Sequence, residues 1–178
     1  MKILDRLPIM TADTPIYIGN EMVRLRESQI IVWMSVSSMT QPALPGNAVQ
    51  FPVILDTGHS HHFAILERHL TEWIGIRSTA LPRLGNVRHF GKPIPCFGAK
   101  LWLHSNVPGS QTRTVRQTRI TADSGIAVFP DAGNHPRLPL LGMRALMSNR
   151  LHLAIDAERN QITLRSPDFR TQLLRWLS

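Results

Sequence analysis

The stretch Phe51-Pro-Val-Ile-Leu-Asp-Thr-Gly-His-Ser60 leads an apolar run directly into a carboxylate and a glycine. Residues 53–55 form a short continuous apolar run, which is typical of a strand buried on both faces. Gly58 allows the chain to turn sharply just after that strand. The pattern therefore places Asp56 at the end of a buried strand. An unpaired carboxylate is costly to bury, so it needs a partner, a metal or a raised pKa.

A second apolar segment, Leu138-Pro-Leu-Leu-Gly-Met-Arg-Ala-Leu146, ends its apolar run in a glycine and continues into a helix-forming sequence. Together the two segments resemble the pepsin-class aspartic proteases. Hydrophobic-hydrophobic-Asp-Thr-Gly is the active-site signature of that class, and a hydrophobic-hydrophobic-Gly segment crosses under its active-site loop. Asp-Thr-Gly occurs once here, so the chain resembles the single-lobed, retropepsin-like branch, in which two identical chains each supply one Asp. The resemblance covers about residues 30–164.

The resemblance implies a role for each residue of these segments. Asp56 would be the catalytic residue, and Thr57 and Gly58 would complete the active-site loop. Leu141 and Gly142 would support that loop from below. The substrate-binding flap would fall between residues 78 and 93, and its best candidates are Gly85, Asn86, Val87 and Arg88. The alternative from the residues alone is that Asp-Thr-Gly forms only an Asx turn between two strands.

A single carboxylate per chain is not enough to activate water, because one group must accept a proton while another delivers one. In a homodimer, Asp56 and its symmetry mate would share a site, and like-charge repulsion would keep one of the two carboxyls protonated. The ionised carboxylate would take a proton from water as that water attacks the peptide carbonyl. The protonated one would hydrogen-bond to the developing oxyanion. The two ionisations would belong to the pair.

Strand patterns dominate the rest of the chain. With 178 residues, 43% of them hydrophobic, it is predicted to form a single domain over residues 1–178. The predicted fold class is mostly β: a closed, barrel-like acid-protease lobe with two or three short helices, one lobe per chain. Residues 1–20 contain two prolines and a glycine and are predicted to form an irregular N-terminal arm. Residues 166–178 show helical spacing and are predicted to form a helical tail.

The formal net charge is +8, and the basic residues are scattered. No zinc-finger, helix-turn-helix or aromatic-platform motif accompanies them, so the sequence favours a solvated basic surface over nucleic-acid binding. Cys96 is the only cysteine, which excludes an intrachain disulfide and indicates a reducing compartment. Asp5 and Arg6 interrupt any signal-peptide core, and the apolar runs are too short to span a bilayer. We expect a cytoplasmic protein without membrane contact.

Histidines are concentrated just after the aspartate, at His59, His61, His62 and His69. Positions 59 and 61 would share one face of a strand, where a metal ion could bridge them. No Cys or carboxylate follows at ligand spacing, so we expect no metal site and no cofactor. His59 stands where the related proteases have a small residue. As a cation it would lower the pKa values of an Asp56 pair.

The sequence therefore predicts an aspartic-type endopeptidase, a hydrolase that cleaves peptide bonds with water activated by an Asp dyad across a homodimer. Its partners would be a peptide or protein substrate and a second copy of the chain. Residues 151–164 and 169–177 are the expected interface segments. The alternative is a non-catalytic dimerisation or peptide-binding module that retains the acid-protease fold. A weaker third hypothesis is a basic protein associated with nucleic acid.

Overall fold

The computed structural model describes residues 2–131 and 138–166. Over these residues the fold is mostly β, as predicted, with fourteen strands and two short α-helices. None of the helices in the described residues is long and apolar enough to cross a membrane. The predicted helical tail lies outside the described residues beyond residue 166. The elements are β1 (Lys2–Pro8), β2 (Thr14–Ile18), β3 (Glu21–Leu25), β4 (Ile31–Ser37), β5 (Phe51–Asp56), β6 (Phe63–Leu66), α1 (Glu67–Glu72), a 3-10 turn (Ser78–Ala80), β7 (Arg83–His89), β8 (Lys92–Phe97), β9 (Lys100–Asn106), β10 (Thr114–Ile120), β11 (Ile126–Phe129), β12 (Leu140–Gly142), α2 (Met143–Ser148), β13 (His152–Asp156) and β14 (Gln161–Arg165).

The largest sheet has nine strands in the order β10-β9-β4-β5-β12-β6-β11-β8-β7. At its centre β12 lies between β5 and β6, parallel to the first and antiparallel to the second. A barrel closes only when its first and last strands pair, and β10 and β7 do not pair within the described residues. The predicted closed barrel is therefore not observed there. Both end strands have features that oppose edge pairing, because β10 exposes arginines and β7 contains a register shift.

The strand that leads to Asp56 is buried on both faces, as predicted. Phe51 and Val53 have no exposed surface, and β5 is flanked by β4 on one side and β12 on the other. The antiparallel pairing of β4 with β5 forms a hairpin that ends at Asp56. All three sheets of the described residues contribute side chains to one main apolar core. Asp56 therefore follows a strand fixed by pairing and packing.

The predicted irregular N-terminal arm is wrong, because most of it is strand. β1 pairs antiparallel with β14, which also pairs with β13, so the start of the chain joins a three-stranded sheet. Ile3, Leu4 and Leu7 are buried against the main core. Two register shifts in β1 allow these unevenly spaced residues to face the same core. A regular alternation of apolar and polar residues is therefore absent from this strand. The rest of the arm forms the hairpin of β2 and β3.

The segment predicted as the flap is a hairpin, but its tip lies further along than expected. Gly85, Asn86, Val87 and Arg88 all lie within β7, and the turn to β8 is made by residues 90 and 91, both at positive φ. The chain continues from this turn through two strands, β8 and β9. They separate at Gly98, whose N–H donates to the Pro82 carbonyl at 2.8 Å. That contact turns the chain away from the hairpin.

A candidate active site at the end of β5

Asp56 is the last residue of β5, and its side chain is half-buried while Thr57 and Gly58 are exposed. The Gly58 N–H donates to Asp56 Oδ1 at 2.9 Å, which is the Asx turn anticipated from the sequence. Asp56 Oδ2 accepts no hydrogen bond from the described residues. The turn therefore fixes one carboxylate oxygen and leaves the other available to a ligand, a water molecule or a second chain.

The loop of residues 57–62 rests directly on Gly142. Gly142 is in register with Asp56, its N–H donates to the His62 carbonyl at 3.0 Å, and the next N–H, of Met143, donates to the His59 carbonyl at 3.3 Å. A Cβ atom on Gly142 would lie 2.0 Å from the His61 carbonyl oxygen and 2.6 Å from that of His59. Only glycine allows this approach. Leu141, fully buried beside Leu55, completes the support.

His59, His61 and His62 lie in this loop and not on a strand. The prediction that positions 59 and 61 share one face of a strand is therefore wrong. The loop wraps over Gly142 and β6 begins only at Phe63. The His59 and His61 rings meet edge to face with centroids 5.2 Å apart. His59 Nε2 is buried without a hydrogen-bond partner. In the described part of the chain no three His, Cys, Asp or Glu side chains are grouped to hold a metal ion.

His62 anchors the far end of the loop. Its ring is buried, with Nδ1 2.6 Å from Ser124 Oγ and Nε2 3.0 Å from Ser148 Oγ. Ser124 precedes β11 and Ser148 ends α2, so one imidazole joins the loop to two other elements. A serine hydroxyl can donate or accept, so both ring nitrogens are satisfied in either tautomer. The ring therefore positions the loop without a charge.

Burial lowers the pKa of His59 below its ordinary value, and nearby His61 lowers it further. The Asp56 carboxylate raises this pKa, but it does not offset burial, and His89 acts in the lowering direction. The pKa of His61 is also lowered, first by burial and then by Arg144 and His89. His59 is therefore neutral at neutral pH. The expected cationic influence of His59 on Asp56 is limited to acidic pH.

The β7–β8 hairpin reaches this loop. The backbone of Arg88 partly opposes the lowering of the pKa of the His61 ring. His89, the next residue, lowers the pKa of both His59 and His61. Its ring packs edge-on against Phe129 at a centroid distance of 5.1 Å. Of the four flap candidates, Arg88 is thus the one with a described contact to the loop. Beside the hairpin is a groove of about 730 Å³, lined in part by His89, Phe90, Lys92, Pro93 and Phe129.

The structure brings together the two segments singled out in the sequence, residues 56–58 and residues 141–142. It adds two side chains that the sequence analysis did not single out, His89 and Arg144, and it places both near His61. No short-range pattern marks these residues. They meet only because β12 and the hairpin pack against a loop that is distant in sequence.

Comparison of the chain with protein-family models found no match, and comparison with curated proteins and with solved structures found no significant match.

Proposed function

We propose that this chain is a homodimeric aspartic endopeptidase of the retropepsin-like type. The observation that supports it most is the passage of β12 between β5 and β6, with Gly142 directly beneath the loop that carries Asp56. This is the arrangement that the hydrophobic-hydrophobic-Gly segment implies by resemblance. The helix expected after it is present as α2. An isolated Asx turn would not require a strand to cross beneath it.

The chemistry follows from the two oxygens of Asp56. Oδ1 is fixed by the Gly58 N–H, and Oδ2 accepts no hydrogen bond from the described residues. A second copy would bring an identical carboxyl to the same site, and one proton shared between them would give a base and an acid at once. As the base takes a proton from water, the water oxygen attacks the peptide carbonyl carbon and forms a tetrahedral intermediate. The acid donates a hydrogen bond to the carbonyl oxygen as it becomes negative. The C–N bond then breaks as a carboxyl of the pair delivers a proton to the leaving amine nitrogen, which returns the pair to its singly protonated state.

The dimer would use the three-stranded sheet. Within the predicted interface segment, β14 already buries Ile162 and Leu164 in the core of its own chain, so these residues are not available. β13 is an outer strand of that sheet, and Ile155 on it is 55% exposed. Among the described residues no strand pairs with the outer edge of β13, and such an edge with an exposed apolar side chain is a typical place for a second chain to add. Residues 169–177 lie outside the described residues.

The test of catalysis is Asp56→Asn, which keeps the shape of the side chain but removes the base. We expect peptide cleavage to fall by at least about a hundredfold with the thermal unfolding curve nearly unchanged. Asp123→Asn, at an exposed aspartate near the loop, is the matched control and should cleave like the wild type. Peptide cleavage by Asp56→Asn at the wild-type rate would end the protease proposal.

A second test concerns the need for two chains. The specific activity should rise with protein concentration until the dimer is saturated, because a monomer holds only one Asp56. Sedimentation velocity over the same concentrations should show the monomer-dimer change at the same midpoint. A fully active monomer would contradict the shared dyad. Tight binding of a statine-type peptide without any cleavage would favour the alternative of a peptide-binding module.

A further inference from the structure

Cations that lack carboxylate partners lie on the two elements next to the loop that carries Asp56, the β7–β8 hairpin and α2. Arg88 and Lys92 lie on the β7–β8 hairpin and Arg144 lies on the first turn of α2, and all three are exposed. Within the described residues none of them has a carboxylate oxygen at ion-pair distance. The ion pairs that do form among the described residues lie elsewhere on the chain: Lys2–Asp5, Arg6–Asp5, Arg24–Asp13, Arg68–Glu21 and Arg159–Asp156.

The lack of partners begins in the sequence. Residues 73–122 contain eight Lys or Arg and no Asp or Glu, and this interval includes the whole hairpin. Residues 138–155, which include β12 and α2, also contain no Asp or Glu. The two parts of the chain that lie against the Asp56 loop are therefore the parts that cannot neutralise their own positive charge. A ligand with negative charge would do so.

These cations act on the loop itself. Arg144 lowers the pKa of both His61 and His62, and the Arg88 backbone raises the pKa of His61. Arg144 follows Gly142 by two residues, and Gly142 is in register with Asp56. Arg144 is thus placed near the Asp56 loop by the same strand, β12, that supports it.

Three carboxylates lie in the same region and could in principle pair with these cations. Asp56 is the proposed catalytic group, and Asp123 raises the pKa of His62. Glu67 lines the groove beside the hairpin, but its Oε1 already accepts the Ser78 N–H at 3.0 Å. None of the three lies at ion-pair distance from Arg88, Lys92 or Arg144. The cations therefore remain available to a ligand.

We propose that the site selects peptides with Asp or Glu side chains beside the segment that lies over Asp56. The inference rests on the proposed function for the position of the peptide, and on the unpaired cations for its charge. Each exposed ion pair is weak and changes affinity by at most about fivefold. Several together would give a clear preference, faster association and a marked dependence on salt.

Binding can be measured separately from cleavage in the Asp56→Asn protein. Two fluorescein-labelled peptide pools are compared by anisotropy: one carries Glu at fixed positions, and the other carries Gln there and is otherwise identical. We expect the Glu pool to bind about tenfold more tightly at low ionic strength, with the preference shrinking as salt is added. Arg88→Gln and Arg144→Gln should each reduce that preference about two- to fivefold, by weakening binding of the Glu pool more than binding of the Gln pool.

The matched controls are Arg116→Gln and Arg119→Gln. These arginines are exposed on β10, at the opposite end of the nine-stranded sheet from the hairpin. They carry the same charge, so they measure the general field of a basic protein. Equal binding of the two pools would overturn the inference, and so would an equal loss of preference in the β10 variants.

The same pools given to the wild-type enzyme separate this inference from the proposed function. Cleavage of both pools with equal kcat/KM would sustain the protease proposal and overturn the acidic preference. A preference for the Glu pool in binding, without cleavage of either pool, would sustain the acidic-peptide site and overturn the protease proposal. Faster cleavage of the Glu pool would sustain both proposals if this preference is reduced in Arg88→Gln and kept in Arg116→Gln.

Discussion

His69 should make the stability of this protein depend strongly on pH. Its ring lies on α1 with no exposed surface, stacks on Trp73 at a centroid distance of 3.8 Å, and has no hydrogen-bond partner at either nitrogen. Burial, with a smaller contribution from Arg68, lowers the pKa of His69 from 6.5 to about 4, although Asp131 opposes the change. Glu21 Oε1 lies 3.9 Å from Nε2 and would favour the cation. The other Glu21 oxygen accepts the Trp73 indole N–H at 2.6 Å. Burial is the largest influence on the pKa of His69.

The direction and size of the effect follow from linkage. The folded protein binds the His69 proton more weakly than the unfolded chain does. The stability that depends on the neutral ring is therefore fully present above pH 6.5 and is lost as the pH falls from 6.5 to about 4. One unit of pKa difference corresponds to about 1.4 kcal/mol, so the free energy of unfolding should fall by about 3 kcal/mol across this window on account of His69.

The assay is urea unfolding of the wild type and of His69→Phe at a series of pH values from neutral to about 4. Phe keeps a flat ring against Trp73 and cannot be protonated. The other histidines are present in both proteins, so the difference between the two stability curves isolates His69. As the pH falls, the free energy of unfolding of the wild type should fall relative to that of His69→Phe. His69→Leu, which is smaller than Phe, serves if Phe overpacks the site. Two curves that fall in parallel would refute the reasoning, because His69 would then not be the buried titrating group.

Two further predictions concern the loop over β12. Gly142→Ala should lower the free energy of unfolding by about 3 kcal/mol or more, because its Cβ would meet backbone oxygen at 2.0 Å. Gly46 has open space around it, so Gly46→Ala should lower the free energy of unfolding by less than about 1 kcal/mol. Equal losses in urea unfolding would contradict the close approach at Gly142. His59→Ala should leave the alkaline limb of the pH-rate profile in place and change only the acidic side, because burial keeps His59 neutral above its lowered pKa; a shifted alkaline limb would show that the ring carries charge there.

The sequence was informative where short-range signals agree with packing. β5, β12 and α2 were predicted because an apolar run, a glycine and helical spacing each mark a local structure that burial then confirms. β1 was missed because two register shifts break the alternation on which strand prediction depends. The tip of the β7–β8 hairpin was misplaced because the strand continues through Gly85 to His89, although Gly85 and Asn86 look like turn residues.

The site was predictable only in part for a related reason. The aspartate and the supporting glycine belong to two short motifs that the sequence displays directly. The positions of His61, His89 and Arg144 depend on how a loop, a hairpin and a helix pack in space, and no spacing rule connects them. His59 illustrates the same point, since its charge state depends on burial over Gly142 that no neighbouring residue reveals.

The central position of β12 also bears on the order of assembly during synthesis. β5 and β6 leave the ribosome early, yet they do not pair with each other in the native sheet, since each is bonded to β12. The two halves of the nine-stranded sheet can therefore join only after residues 140–142 have emerged. Pairing between segments so distant in sequence is slow, because the intervening chain must first be ordered. Asp56 thus acquires its native surroundings late, and in a nascent chain that ends before β12 the Asp56 loop lacks the support of Gly142.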